Sequence, residues 1–65
     1  MICYDPLFAT MKRLGVSSYR LEKLGFSRST YYAMKRNQSV STHTIDQLCH
    51  LLHCSVSEIM EYREE

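Results

Sequence analysis

No apolar run in this 65-residue chain approaches the roughly 18 residues that a membrane helix needs. Nor does the chain open on a basic segment followed by an apolar one, the pattern of a secretory signal. Glycine is scarce, at two residues, so no glycine-rich phosphate loop is present, and no nucleophile elbow is either. Repeats, linkers and low-complexity segments are also missing. A chain this short buries only about 60% of its unfolded surface and leaves little room for a substrate pocket. One small, marginally stable domain over residues 1–65 is expected, with no enzymatic activity, no cofactor and no small-molecule substrate. Cys3, Cys49 and Cys54 cannot all pair within one chain. Two of them lie in apolar helical surroundings, where cysteine behaves as a small hydrophobe, and a reducing, cytoplasmic setting is expected.

What is present reads as globular: 45% of residues are hydrophobic and 23% charged. The formal net charge is only +1, but it is unevenly spread. Residues 1–40 hold seven Lys or Arg against two acids, and residues 41–65 hold one Arg against five acids. A basic half and an acidic half give the domain a directed field.

The chain is organised around Ser17 to Asn37, SSYRLEKLGFSRSTYYAMKRN. Ser17 is a good N-cap, and Leu21 and Leu24 follow on one face. Gly25 stops that helix by taking the left-handed conformation, and Phe26 turns apolar surface back into the turn. Ser27 caps a second helix in which Tyr31 and Met34 face inward. Two short capped helices about a glycine turn form a helix-turn-helix pattern, whose second helix would enter the DNA major groove.

On either side, further helices are expected. Met1 to Tyr4 is a lead-in that either pairs as a strand or caps the core. Asp5-Pro6 signals a helix start, with Asp5 as cap and Pro6 at the first helical position. Leu7, Met11 and Leu14 form its apolar stripe, with Phe8 beside it, and Gly15 ends it. Asn37 tolerates the left-handed conformation after the recognition helix. Ser41 caps a helix carrying Ile45, Leu48, Cys49 and Leu52 on its core face, with His53 where a terminating glycine often stands. Ser55 and Glu58 form a capping box that opens a last helix, with Val56, Ile59 and Tyr62 packing inward and Arg63 to Glu65 as a solvated tail. The expected architecture is all-α, with five helices at about 6–14, 18–24, 28–36, 42–52 and 56–62.

The run VSSYRLEKLGFSRSTYYAMKRNQSVSTHTIDQLCHLLHCSVSEIMEY resembles the Cro/C1-type (XRE family) helix-turn-helix domains, in particular the small stand-alone members of Gram-positive bacteria and their mobile elements. The likeness covers about residues 7–62. It rests on the S-x-Y-x-L opening, G-F-S before the recognition helix, S-T-x-x-x-M within it, and L-x-x-L-L-x-C-S-x-x-E-I-M-E-Y at the end. The chain departs from the family pattern in having four residues rather than five from Leu21 to Gly25, Arg36-Asn37 where Asn-Gly is usual, and Tyr31 in place of a smaller aliphatic residue. The resemblance implies a lambda-repressor-like fold and sequence-specific binding of double-stranded DNA, as a transcriptional repressor dimerised on a two-fold operator. A rival class is a protein-interaction module on the same fold, favoured by the low net charge and the shortened second helix.

The resemblance assigns base contacts to Arg28, Ser29, Tyr32 and Ala33. Arg28 suits guanine O6 and N7, and Ala33 suits a thymine methyl. Phosphate contacts fall to Ser18, Thr30, Lys35, Arg36, Asn37, Ser41 and His43, of which Ser18 sits at a helix N-terminus that favours an anion.

The CHLLHC run, Cys49 to Cys54, invites a zinc reading. Cys49 and His53 are four apart, as are His50 and Cys54, but on a helix the two pairs diverge by about 100°. They do not converge on one ion without a second segment, which only His43 or Cys3 offers. No metal is expected: protein purified without added metal should melt at the same temperature with and without a chelator. Stoichiometric zinc, with unfolding on chelation, would contradict this.

Overall fold

In the computed structural model, which describes residues 1–64, four α-helices surround one core. They are α1 (Asp5–Leu14), α2 (Ser18–Lys23), α3 (Arg28–Lys35) and α4 (Thr42–Leu52). A single 3-10 turn, Val56–Glu58, follows, and two-residue strands β1 (Ile2–Cys3) and β2 (Glu61–Tyr62) pair antiparallel, Ile2 opposite Tyr62 and Cys3 opposite Glu61. No helix among the described residues is long and apolar enough to cross a membrane.

The serine caps act as their positions suggest. Ser17 Oγ accepts from the Arg20 amide at 3.1 Å, Ser27 Oγ from Thr30 at 3.3 Å, and Ser41 Oγ from Thr44 at 3.2 Å. Each satisfies an amide that has no partner inside its helix.

All four helices end alike. Gly15, Gly25, Asn37 and His53 have positive φ, and the residue after each donates its amide back five positions along the chain. Val16 bonds the Met11 carbonyl at 2.8 Å, Phe26 bonds Leu21 at 3.1 Å, Gln38 bonds Ala33 at 3.0 Å, and Cys54 bonds Cys49 at 3.1 Å. This is the Schellman termination, and it brings the two side chains flanking the bond together. At the end of α2 those are Leu21 and Phe26, both buried.

The core contains Tyr4, Leu7, Met11, Leu21, Phe26, Met34, Ile45, Leu48, Leu52 and Ile59, with Leu7, Leu21, Met34, Leu48 and Ile59 fully enclosed. It includes every member of the set Leu21, Phe26, Met34, Ile45, Leu48 and Leu52 expected from periodicity. Leu14, Leu24, Val56 and Tyr62 do not join it: all four are exposed.

The fifth helix expected at 56–62 is replaced by the 3-10 turn and β2. The capping box does form: the Ser55 amide and hydroxyl donate to Glu58 Oε1 at 3.3 and 3.1 Å. Those bonds, with help from Arg13, hold the Glu58 carboxyl below its ordinary value. The nucleus is not extended because Ile59 turns into the core and residues 61–62 pair with 2–3, while the first turns of an isolated helix are costly. Of the expected solvated tail, Arg63 is correspondingly tied down, while Glu65 lies outside the described residues. Arg63 donates its amide to the Met1 carbonyl at 2.8 Å, and its guanidinium reaches Asp5 at 3.1 Å and Glu61 at 2.8 Å.

Asp5 is not the cap of α1. It is the first helical residue, Pro6 follows, and Tyr4 holds the cap position without a side-chain bond. The free Leu7 amide is satisfied from elsewhere, by the carbonyls of Tyr4 at 2.9 Å and Ile59 at 3.2 Å. Thr10 Oγ1 donates to the Glu58 carbonyl at 2.8 Å, and Arg13 pairs with the Glu58 carboxylate at 2.7 Å. The segment after α4 thus clamps α1 onto the domain.

Two stability measurements check this architecture. Leu48→Ala should cost about 2–5 kcal/mol in denaturant unfolding, since Leu48 is fully enclosed; a loss below about 1 kcal/mol would contradict its burial. His53→Gly should raise stability by up to about 1 kcal/mol, because an L-residue held at φ 51 carries strain that glycine does not. A destabilised glycine variant would show that the imidazole makes a compensating contact.

Candidate nucleic-acid interface

Helices α2 and α3 share the turn Leu24 to Ser27. The Gly25 amide donates to the Glu22 carbonyl at 3.0 Å, and with the Phe26–Leu21 bond this fixes the turn's backbone. Phe26 is buried beneath the turn, so the second helix is anchored at its start as well as through Met34. Between the helices lies a cavity of about 250 Å³ lined by Ser18, Tyr19, Glu22, Arg28, Tyr31 and Tyr32, among others.

On α3 the side chains divide by side. Met34 is enclosed, Tyr31 and Ala33 are half-buried, and Arg28, Ser29, Tyr32, Lys35 and Arg36 are exposed. Ser29 Oγ sits 3.1 Å from the capping Ser27 Oγ. The Arg28 guanidinium lies over the Tyr32 ring, 6.0 Å from its centroid, an (i, i+4) pair on one row of the helix. Arg28, Ser29 and Tyr32 therefore form one exposed surface, while Ala33 lies at its edge.

The residues expected at phosphates lie on α2, on or just after α3, and at the start of α4. Ser18 is exposed in the first turn of α2, and Thr30 is half-buried with its amide used by the Ser27 cap. Arg36 and Asn37 are exposed at the end of α3, and Ser41 and His43 at the start of α4. Lys35 differs from these. Its ammonium is turned toward the domain's own rings, 4.7 Å from the Phe8 centroid and 5.6 Å from that of Tyr31.

Tyr19 is not among the residues expected to contact DNA. It is two-thirds exposed on α2, lines the cavity between the helices, and has the Lys23 ammonium 5.3 Å from its ring centroid. The available signal was an exposed aromatic directly after Ser18, in the turn that the family motif opens. Arg20 and Lys23 add exposed positive charge to the same helix.

The CHLLHC run is rearranged relative to an uninterrupted helix. His53 adopts the left-handed conformation outside α4, so it pairs with His50, ring centroids 6.3 Å apart, and Cys54 folds back over Cys49. Burial and the adjacent Cys49 push the Cys54 thiol above its ordinary pKa. Among the described residues no group of three or more His, Cys, Asp or Glu is placed to hold a metal.

Comparison with known proteins agrees with this geometry. No curated protein sequence matches the chain. Among solved structures it is similar to the crystal structure of the transcriptional regulator VanUg, with 26% identity and a TM-score of 0.87 over 98% of this chain and 87% of that one. Residues 9–65 match the family described as the Cro/C1-type HTH DNA-binding domain. Two serine-capped helices about a Gly25 turn, a buried Phe26 and Met34 behind the second helix, and a match over nearly the whole chain have one explanation: the protein belongs to the Cro/C1-type helix-turn-helix DNA-binding domain family.

Proposed function

We propose that this single domain is a cytoplasmic transcriptional repressor that reads double-stranded DNA with α3 and acts as a dimer on a two-fold operator. The observation that carries the reading is the joint exposure of Arg28, Ser29 and Tyr32 on a helix whose opposite side is locked by Met34 and Phe26. Side chains near the N-terminus of such a helix reach base edges. Arg28 is suited to a bidentate contact with guanine, Ser29 and Tyr32 to further polar contacts, and Ala33 to a thymine methyl. Ser18, Thr30, Arg36, Asn37, Ser41 and His43 are the proposed backbone clamps. One such unit covers few base pairs, so a second copy of the chain is the proposed partner. Neither catalysis nor a cofactor enters this mechanism.

Selection of duplexes from a random pool, followed by titration at several salt concentrations, tests it. A preferred site and a log–log salt slope near the number of phosphates contacted are expected, because each contact releases counterions. Arg28→Ala should cost about 1–3 kcal/mol on the selected duplex and relax specificity at one base pair. Arg36→Ala should weaken selected and scrambled duplexes alike and lower the salt slope by about 1 per subunit. Equal weakening of both duplexes by Arg28→Ala would make it a phosphate contact. No duplex binding at any salt would favour the protein-interaction module instead.

A further inference from the structure

An unbroken row of cations and rings runs from α1 to the first turn of α3. Lys35 Nζ lies 4.7 Å from the Phe8 centroid and 5.6 Å from that of Tyr31. Phe8 and Tyr31 meet edge to face, centroids 5.8 Å apart at 85°. Tyr31 meets Tyr32 the same way, at 5.3 Å and 80°. Arg28 closes the row over Tyr32 at 6.0 Å.

The spacing explains how the row forms. Arg28 and Tyr32 are four apart on α3, as are Tyr31 and Lys35, so each cation lies over the ring one turn away on its own side of the helix. The Tyr31–Tyr32 contact joins these two sides. Phe8 is the one member outside α3. It is half-buried against the core, and its position is set by the packing of α1. Edge-to-face pairs put the positive ring edge on the partner's negative face, and a cation is drawn to that same face, so each contact orients the next.

We infer that Phe8 is a positioning residue for DNA reading: through Tyr31 and Tyr32 it holds Arg28 extended over the reading surface, and Lys35 is the clasp of this stack. The inference rests on the DNA reading above. It takes Lys35 out of the phosphate contacts, because an ammonium held over two rings of its own domain is directed away from the backbone. An arginine already stacked on Tyr32 has less side-chain freedom to lose when it meets a base. A loosened stack therefore costs discrimination more than it costs general affinity, which comes from the phosphate contacts.

The experiment has one arm without DNA and one with it. In NMR spectra of the free chain, the Lys35 ε-methylene and Arg28 δ-methylene protons should be shifted upfield by the rings. Phe8→Leu should reduce the Lys35 shift to what Tyr31 alone supplies and reduce that of Arg28, and Phe8→Tyr should keep both. With a duplex selected from a random pool and its scrambled counterpart, measured well below each variant's melting temperature, Phe8→Leu should lower the affinity ratio about fivefold with the scrambled duplex unaffected. Phe8→Tyr should restore the ratio. Lys35→Met, on the exposed side of α3, should also lower the ratio and leave the salt slope unchanged, and Lys35→Arg should rescue it. These two variants decide the matter if Phe8→Leu fails to fold. A fall of about 1 per subunit in the salt slope for Lys35→Met makes Lys35 a phosphate contact and overturns the inference. So does a Phe8→Leu variant that melts earlier with an unchanged ratio, or a wild-type Arg28 shift that Phe8→Leu leaves in place. Upfield shifts in a wild-type chain that selects no duplex would refute the DNA reading itself, and with it any reading role for Phe8, while leaving the stack intact.

Discussion

The left-handed helix ending, used four times, is the constraint on which the rest of this small domain depends. With helices of six to eleven residues, little stability comes from the helices themselves. Each must stop on a defined residue and send the chain in a defined direction, so that its apolar side meets the others. A positive φ at Gly15, Gly25, Asn37 and His53 does this, and the returning amide bond then presses the following side chain onto the last turn. At Gly25 the side chain so placed is Phe26, and the turn of the reading unit becomes part of the core. The angle between α2 and α3 is thereby set by covalent geometry and two backbone bonds, before any long-range packing is counted.

The second constraint acts on α1. Its N-terminal amide is satisfied by the Ile59 carbonyl, its Thr10 hydroxyl by the Glu58 carbonyl, and its Arg13 by the Glu58 carboxylate. The 3-10 turn after α4 is therefore a fastening for α1. Since Phe8 is on α1 and touches Tyr31 of α3, the segment 55–63 bears on the reading helix through α1. The ion pairs involved are exposed and contribute little each; the buried Ile59 and the backbone bonds hold the segment.

Most of this was legible in the sequence because it is local. Ser17, Ser27 and Ser41 cap their helices, Gly25 and Asn37 end theirs, and Leu21, Phe26, Met34, Ile45, Leu48 and Leu52 form the core, each decided within a few residues of itself. What was not legible depends on distant partners. Ser55 and Glu58 form a genuine capping box, yet no helix follows, because residues 61–62 pair with 2–3 at the other end of the chain. Asp5-Pro6 looks like a cap, but the acceptors are the carbonyls of Tyr4 and the distant Ile59. In the candidate interface, Arg28, Ser29 and Tyr32 are exposed together as periodicity implies. Lys35 reads as a cation at a helix end, and its direction is set by Phe8 from the distant α1 together with Tyr31.

A net charge of +1 understates what a polyanion would meet. Asp5 and Glu61 are both engaged by Arg63, and Glu58 by Arg13, so three of the acids are matched within the clamp that fastens α1. Among the described residues, Arg20, Lys23, Arg28 and Arg36 form no salt bridge, and all four lie on α2, α3 or the residue ending α3. Pairing these acids on the fastening side leaves most of the unpaired cations on α2 and α3, with Lys12 outside them and Glu22 the one acid among them. A field arranged this way is more positive over α2 and α3, and at about 8 Å of screening in physiological salt it acts on a polyanion only once that face is close. The charge asymmetry and the fold are linked at this point: Glu58 and Glu61, acids of the segment that secures α1, are each matched by an arginine.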